Sequence, residues 1–162
     1  MNKISKKIVK IFKKKIKLNK VYLHEPDLNK SDTVYLKDCI KQNAVSAAGK
    51  FIQKFENKIV NLTKAKYAIS TNSGTSALHI SCILMNVKEN DEVLVPAFTF
   101  VATANAIKYC GAIPHFIDIE ESHFGVNVSK LNNYLKEISI KKGNFYFNKK
   151  TGRKIKAIIP VH

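Results

Sequence analysis

Acidic residues are scarce in this chain: 12 Asp and Glu stand against 28 Lys and Arg, a formal charge of +16 at neutral pH. Cysteine is scarce too. Cys39, Cys82 and Cys110 are odd in number, far apart in sequence and set in apolar contexts. That excludes a disulfide framework and a cysteine metal site, and it reads as reduced, buried thiols of a cytoplasmic protein. No apolar run approaches the ~20 residues that a helical membrane span needs. The six glycines and four prolines gather into no low-complexity linker, and no internal repeat is visible. What is present, 45% hydrophobic and 25% charged residues in a chain of 162, suffices for one domain with a proper core.

The basic excess is unevenly placed. Nine of the 28 basic residues lie within MNKISKKIVKIFKKKIKLNK, where no acid occurs, and the rest of the chain shows no basic stripe. A nucleic-acid partner is therefore not expected; charge in the tail alone supports that reading. Ile4, Ile8, Ile11 and Phe12 follow helical spacing with lysines between them. Two readings stand for residues 1–20. A basic amphipathic helix makes weak contact with an anionic membrane surface, or the extension packs on its own protein or a partner subunit. With no apolar core of adequate length, the tail is not a secretory signal.

Beyond the tail the pattern becomes regular. Ser31-Asp32 opens a helical stretch, SDTVYLKDCIKQN, and FIQKFENKIVNLT places Phe51, Phe55, Ile59 and Leu62 on one helical face. A short strand is expected over 66–69, then a helix ending near Asn86. DEVLVP reads as a strand, and TFVATANAIKYCG as a helix closed by Gly111 at its C-cap. IPHFIDI reads as a strand, and SKLNNYLKEIS as a helix with Ser129 as N-cap. A hairpin follows around Lys150-Thr151-Gly152, then a buried strand over 157–161. Strands alternating with helices predict an α/β domain with a mostly parallel sheet, whose ligands bind at the carboxyl ends of strands. A chain stopping at His162, directly off that strand, reads as part of a larger domain with an unpaired apolar edge and poor solubility.

Two loops fall at such carboxyl ends and are expected to be neighbours. In STNSGTSALH, Gly74 permits close approach, and the first amides of the following helix point outward with about half a positive charge. Ser73 and Thr75 add hydroxyls. A phosphate is matched there, and an ordinary helix cap is the alternative. No lysine follows the glycine as in a Walker loop, and no GxGxxG is present. In VPAFTFVATANAI, Phe98 and Phe100 flank a threonine, either as core residues or as rings free to stack on a flat ligand. Asp118, in FIDI, reads as a structural cap.

The succession FE, SGTSAL, DEV, P-x-x-TF-x-ATANAI, GA-x-P and PVH resembles the DegT/DnrJ/StrS family of pyridoxal-phosphate-dependent nucleotide-sugar aminotransferases. The resemblance covers residues 21–162. LHEP, VSAAGKF and NKKTGR resemble the subgroup acting on nucleotide-linked 4-keto hexoses in legionaminic acid or bacillosamine synthesis. The fold implied is the N-terminal half of the large domain of an aspartate-aminotransferase-like transferase, incomplete, preceded by the extension 1–20.

On that resemblance Ser73, Gly74 and Thr75 form the cofactor-phosphate cup, and Phe100 stacks on the pyridine ring. His162 borders the active site. The family is homodimeric, takes glutamate as amino donor and builds surface glycans and nonulosonic acids. Its ring-pairing aspartate and Schiff-base lysine match no segment here, so no catalytic residue is assigned and the chain alone is expected to be inactive. The alternative is a non-catalytic partner or scaffold subunit of a full-length paralogue.

Overall fold

The computed structural model describes residues 2–15, 26–46 and 49–161. The chain forms two compact units, Met1–Gln53 and Lys54–His162. The first holds α1 (Lys3–Lys15), α2 (Lys30–Lys41) and the start of α3 (Lys50–Thr63). No residue of α1 is buried. α2 begins one residue earlier than Ser31-Asp32 suggests, in a capping box at Asn29. The Asn29 side chain accepts from the Ser31 N–H at 2.9 Å, and Asp32 Oδ2 accepts from the Asn29 N–H at 2.7 Å. In the same unit Lys50 Nζ lies 2.7 Å from Asp38, and Tyr35 meets the Phe51 ring edge-on.

The second unit adds α4 (Gly74–Leu84), β1 (Glu92–Pro96), α5 (Val101–Tyr109), β2 (Ile113–Ile117), α6 (Val128–Ile138), β3 (Ser139–Lys142), β4 (Phe145–Asn148) and β5 (Lys154–Ile158). The sheet order is β2-β1-β5-β4-β3. β1 pairs in parallel with β2 and with β5, while β4 is antiparallel to both of its neighbours. Four of the five strands therefore run one way. The exception is the middle of two hairpins, where turns of a few residues force antiparallel pairing.

β1 is buried along its whole length. Its alternation sends Val93 and Val95 to one face, where they meet Cys82, Val87, Ile107 and Ala112 from α4, α5 and their ends. Leu94 and Glu92 point to the other face, where α6 lies: Leu94 shares a cavity lining with Asn132 and Leu135. Burial on both faces of a central strand accounts for its continuous apolar run.

Several sequence expectations change. Residues 66–69 form no strand; Tyr67 and Ile69 are 74% and 86% exposed, because no neighbouring strand among the described residues takes their backbone groups. Of the face expected on α3, Phe51 and Ile59 are half-buried but Phe55 and Leu62 are exposed, and Ile52, Glu56 and Val60 are sheltered in their place. α6 is capped by Asn127, whose side chain accepts from the Lys130 N–H at 2.9 Å, so Ser129 lies inside the helix. β3 has no counterpart in the sequence reading.

β5 begins earlier than expected and sits mid-sheet, paired on both sides, so it is not an unpaired edge. Gly111 stands one residue past the C-cap Cys110, at φ +71°. Its N–H donates to Lys108 O and that of Ala112 to Ile107 O, a Schellman closure. Asn86, φ +55°, closes α4 in the same way: its N–H reaches Ile83 O, and that of Val87 reaches Cys82 O.

Candidate functional site

α4 and α5 pack side by side. Cys82 lies against Cys110 and the His79 ring meets Tyr109 edge-on, so the C-terminal ends of the two helices are together. Their N-terminal ends therefore share a side. That side is the carboxyl end of β1, because α5 starts five residues after Pro96. The two loops singled out in the sequence are thus brought to one edge of the sheet. The thiols are all free, as expected, though Cys82 and Cys110 are spatial neighbours and only Cys82 is fully buried. Burial, with Cys110 adding to it, pushes the Cys82 thiol above its ordinary range.

At the start of α4, Ser73 is extended (φ −161°, ψ 158°) and caps the helix: its Oγ accepts from the Ser76 N–H at 3.2 Å and lies 3.1 Å from Ser76 Oγ. Thr71 Oγ1 donates to Ser73 O at 2.8 Å and holds the turn. The cap reading and the cup reading are therefore compatible. Ser73 satisfies the third amide, and the first-turn N–H groups of Gly74 and Thr75 have no intrahelical acceptor. A Cβ built on Gly74 would meet nothing within 4 Å among the described residues. No packing among the described residues requires glycine there, and a tetrahedral anion seated on these amides would fit that space.

A residue that sequence reasoning passed over fixes the approach to this turn. Glu56 Oε1, from α3, accepts from both the N–H of Ser70 at 2.8 Å and its hydroxyl at 3.0 Å. The FE pair was visible as a motif; its partner, 14 residues on, was not.

At the second loop, Phe98 is 62% and Phe100 66% exposed, so neither is a core residue. The loop after β1 turns outward before α5 begins, with the Thr99 hydroxyl bonded to that of Thr103 at 3.0 Å. Phe98 packs against Phe124, ring centroids 5.3 Å apart. Phe100 is the N-cap of α5 with extended backbone and no side-chain capping bond. Its position at the start of α5 puts it at the same end of the sheet as the start of α4. Asp118 is exposed and, contrary to expectation, makes no capping bond among the described residues; that segment is tied instead by Glu120 and Asn127. His162 lies outside the described residues.

The other polar cluster is at the opposite end of β1. Glu92, 2% exposed, accepts from Asn148 Nδ2 at 2.9 Å and Thr151 Oγ1 at 2.5 Å, and pairs with His115 Nδ1 at 2.8 Å. His115 Nε2 in turn meets the Tyr134 hydroxyl at 2.8 Å. Burial opposes the Glu92 charge, but the bonds from Thr151, Asn148 and His115 outweigh it and hold the carboxyl below its ordinary range. Burial, with Glu92 nearby, raises the Tyr134 hydroxyl. Each group here satisfies another, and no buried side-chain polar atom among the described residues lacks a partner. The cluster ties β1 to β2, α6 and the hairpin. No cluster of potential metal ligands occurs among the described residues.

Comparison with known proteins places the family and the fold. The sequence profile of the DegT/DnrJ/EryC1/StrS aminotransferase family matches residues 26–162. GDP-perosamine synthase of Vibrio cholerae is 35% identical over 140 residues, 86% of this chain and 34% of that protein. Spr1654 of Streptococcus pneumoniae, assigned as a sugar aminotransferase and solved in a PLP form, superposes with TM-score 0.57 at 25% identity, over 70% of this chain and 29% of that one. A DegT DnrJ EryC1 StrS aminotransferase from Brucella abortus gives TM-score 0.65 at 23% identity, over 85% of this chain and 36% of its own, which speaks for the fold alone. The chain spans about a third of the length of the curated relatives it matches.

Proposed function

The chain belongs to the DegT/DnrJ/EryC1/StrS aminotransferase family, and from that premise we propose that residues 21–162 supply part of the cofactor-binding large domain of a pyridoxal-phosphate-dependent sugar aminotransferase. Its substrate is a nucleotide-linked 4-keto hexose, its amino donor glutamate, and its product an amino sugar for surface glycan synthesis. The GDP-perosamine synthases among its relatives support a nucleotide-linked sugar. LHEP and NKKTGR favour the legionaminic or bacillosamine type within that class.

The observation that carries the proposal is the open first turn of α4. The N–H groups of Gly74 and Thr75 hold the cofactor phosphate, and the helix dipole favours its charge. Ser73 keeps its hydroxyl on the Ser76 amide and so fixes the turn. Glu56 positions the approach segment through Ser70. Phe100, at the same edge, offers a ring face to the pyridine. When bound, pyridoxal phosphate carries the amino group between donor and sugar; the residues described here bind and orient it. We place the chain in the cytoplasm and its working form as a homodimer, in keeping with the exposed Phe98, Phe100 and Val101 beside the site.

Calorimetric titration of the 162-residue chain tests this reading. Pyridoxal phosphate binds, inorganic phosphate competes with it, and Gly74→Val lowers affinity by about tenfold or more by filling the space over the amides. The chain on its own transfers no amino group from glutamate, and borohydride traps cofactor at no single lysine. Binding unaffected by Gly74→Val, or measurable transamination, overturns the corresponding part of the proposal.

A further inference from the structure

α1 has a job that no part of the cofactor site explains. Its 13 residues, KISKKIVKIFKKK, contain seven lysines and no acid. At helical spacing Ile11, Ile4, Ile8, Phe12 and Val9 fall in an arc of roughly 160°. Six of the lysines fall in the opposite arc; Lys15, in the last turn, stands over the apolar side, where its stem can lie along that surface. Among the described residues nothing covers the apolar face: Ile4 is 69%, Ile11 55% and Phe12 59% exposed. With no acid anywhere in residues 1–20, the lysine face has no counter-charge in its own segment.

We propose that α1 is an interfacial anchor that lies flat on an anionic lipid bilayer, its apolar face in the acyl boundary and its lysines among the headgroups. Both halves of the helix are then satisfied at once. Apolar burial and attraction to anionic lipid together are what such helices need for stable surface binding. A nucleic acid would neutralise the lysines but leave five large apolar side chains in water. The helix is about 20 Å long and strongly charged, which suits the plane of the interface, and no helix among the described residues is long and apolar enough to cross a membrane.

The chain has no tryptophan, so Phe12→Trp makes α1 its own fluorescent reporter. Because no α1 residue is buried, the substitution leaves the remaining fold intact, and circular dichroism of the full chain verifies that. The expected result is blue-shifted emission with phosphatidylcholine vesicles containing phosphatidylglycerol, and none with phosphatidylcholine alone. Ile8→Ser with Phe12→Ser weakens sedimentation with the anionic vesicles by about tenfold or more, and raising salt weakens it for both forms.

Three results would overturn the proposal. One is emission indifferent to anionic lipid. Another is a double-serine variant that binds vesicles as the parent does, which leaves charge alone. The third is tighter binding to a random DNA duplex than to vesicles at physiological salt.

Discussion

Glu92 joins three separate segments of the second unit. It is buried, charged and held by three donors from two other strands and a turn. Glu92→Gln turns an acceptor of three bonds into a group that must also donate, against donors that are already fixed. Urea unfolding at neutral pH is expected to show a loss of about 3 kcal/mol. The native carboxyl is held below its ordinary value of 4.5. Its stabilisation is therefore complete above pH 4.5 and disappears as pH falls through the lower native value, so the wild-type advantage over Glu92→Gln narrows in acid. Gly111 gives a second test. At φ +71° a Cβ would also stand 3.1 Å from Glu89 Cγ, whereas Gly143, φ +60°, faces open space. Gly111→Ala should cost about 2 kcal/mol and Gly143→Ala about 1 kcal/mol, compared by thermal melts.

Among the elements, α4 and its approach segment carry the proposed phosphate site. Ser73→Ala removes a cap that satisfies the Ser76 amide and is expected to lower stability by about 1 kcal/mol. Glu56→Ala leaves α4 capped but frees Ser70. It should weaken phosphate binding about threefold or more with little change in the helical signal, read by calorimetry beside circular dichroism. How these elements were legible follows from where their determinants lie. α4, α5, the hairpin and β1 were readable because cap residues, apolar period and turn chemistry are local. The turn proposed to hold the phosphate is local in the same way, because Ser73, Gly74 and Thr75 are consecutive, and the Ser73 cap at the start of α4 is what the structure shows of it. The segment 66–69 misled, since a strand needs a neighbour and its sequence cannot supply one. Ser129 misled because Asn127, two residues earlier, is an equally good cap. The Glu92 cluster was invisible, its partners standing 23, 56 and 59 residues away.

At the scale of the whole molecule, apolar surface is the dominant feature. Ile69, Ile83, Leu84, Phe98, Phe100 and Phe116 are all more than half exposed, beyond what single scattered residues on a monomer present. Sedimentation equilibrium is expected to show concentration-dependent association that persists in α1-serine variants, which separates it from lipid binding. The sheet order carries one further consequence, for the timing of folding. β5 is the last strand in sequence yet fills the place between β1 and β4, and Asn148 and Thr151 arrive with the same hairpin. While the chain is being synthesised, β1 can pair with β2 only, and Glu92 waits beside an open strand edge until some 60 further residues have left the ribosome. Folding of this unit is thus a late, single closing event, and a nascent chain stalled before residue 154 should be a chaperone client rather than a half-folded domain.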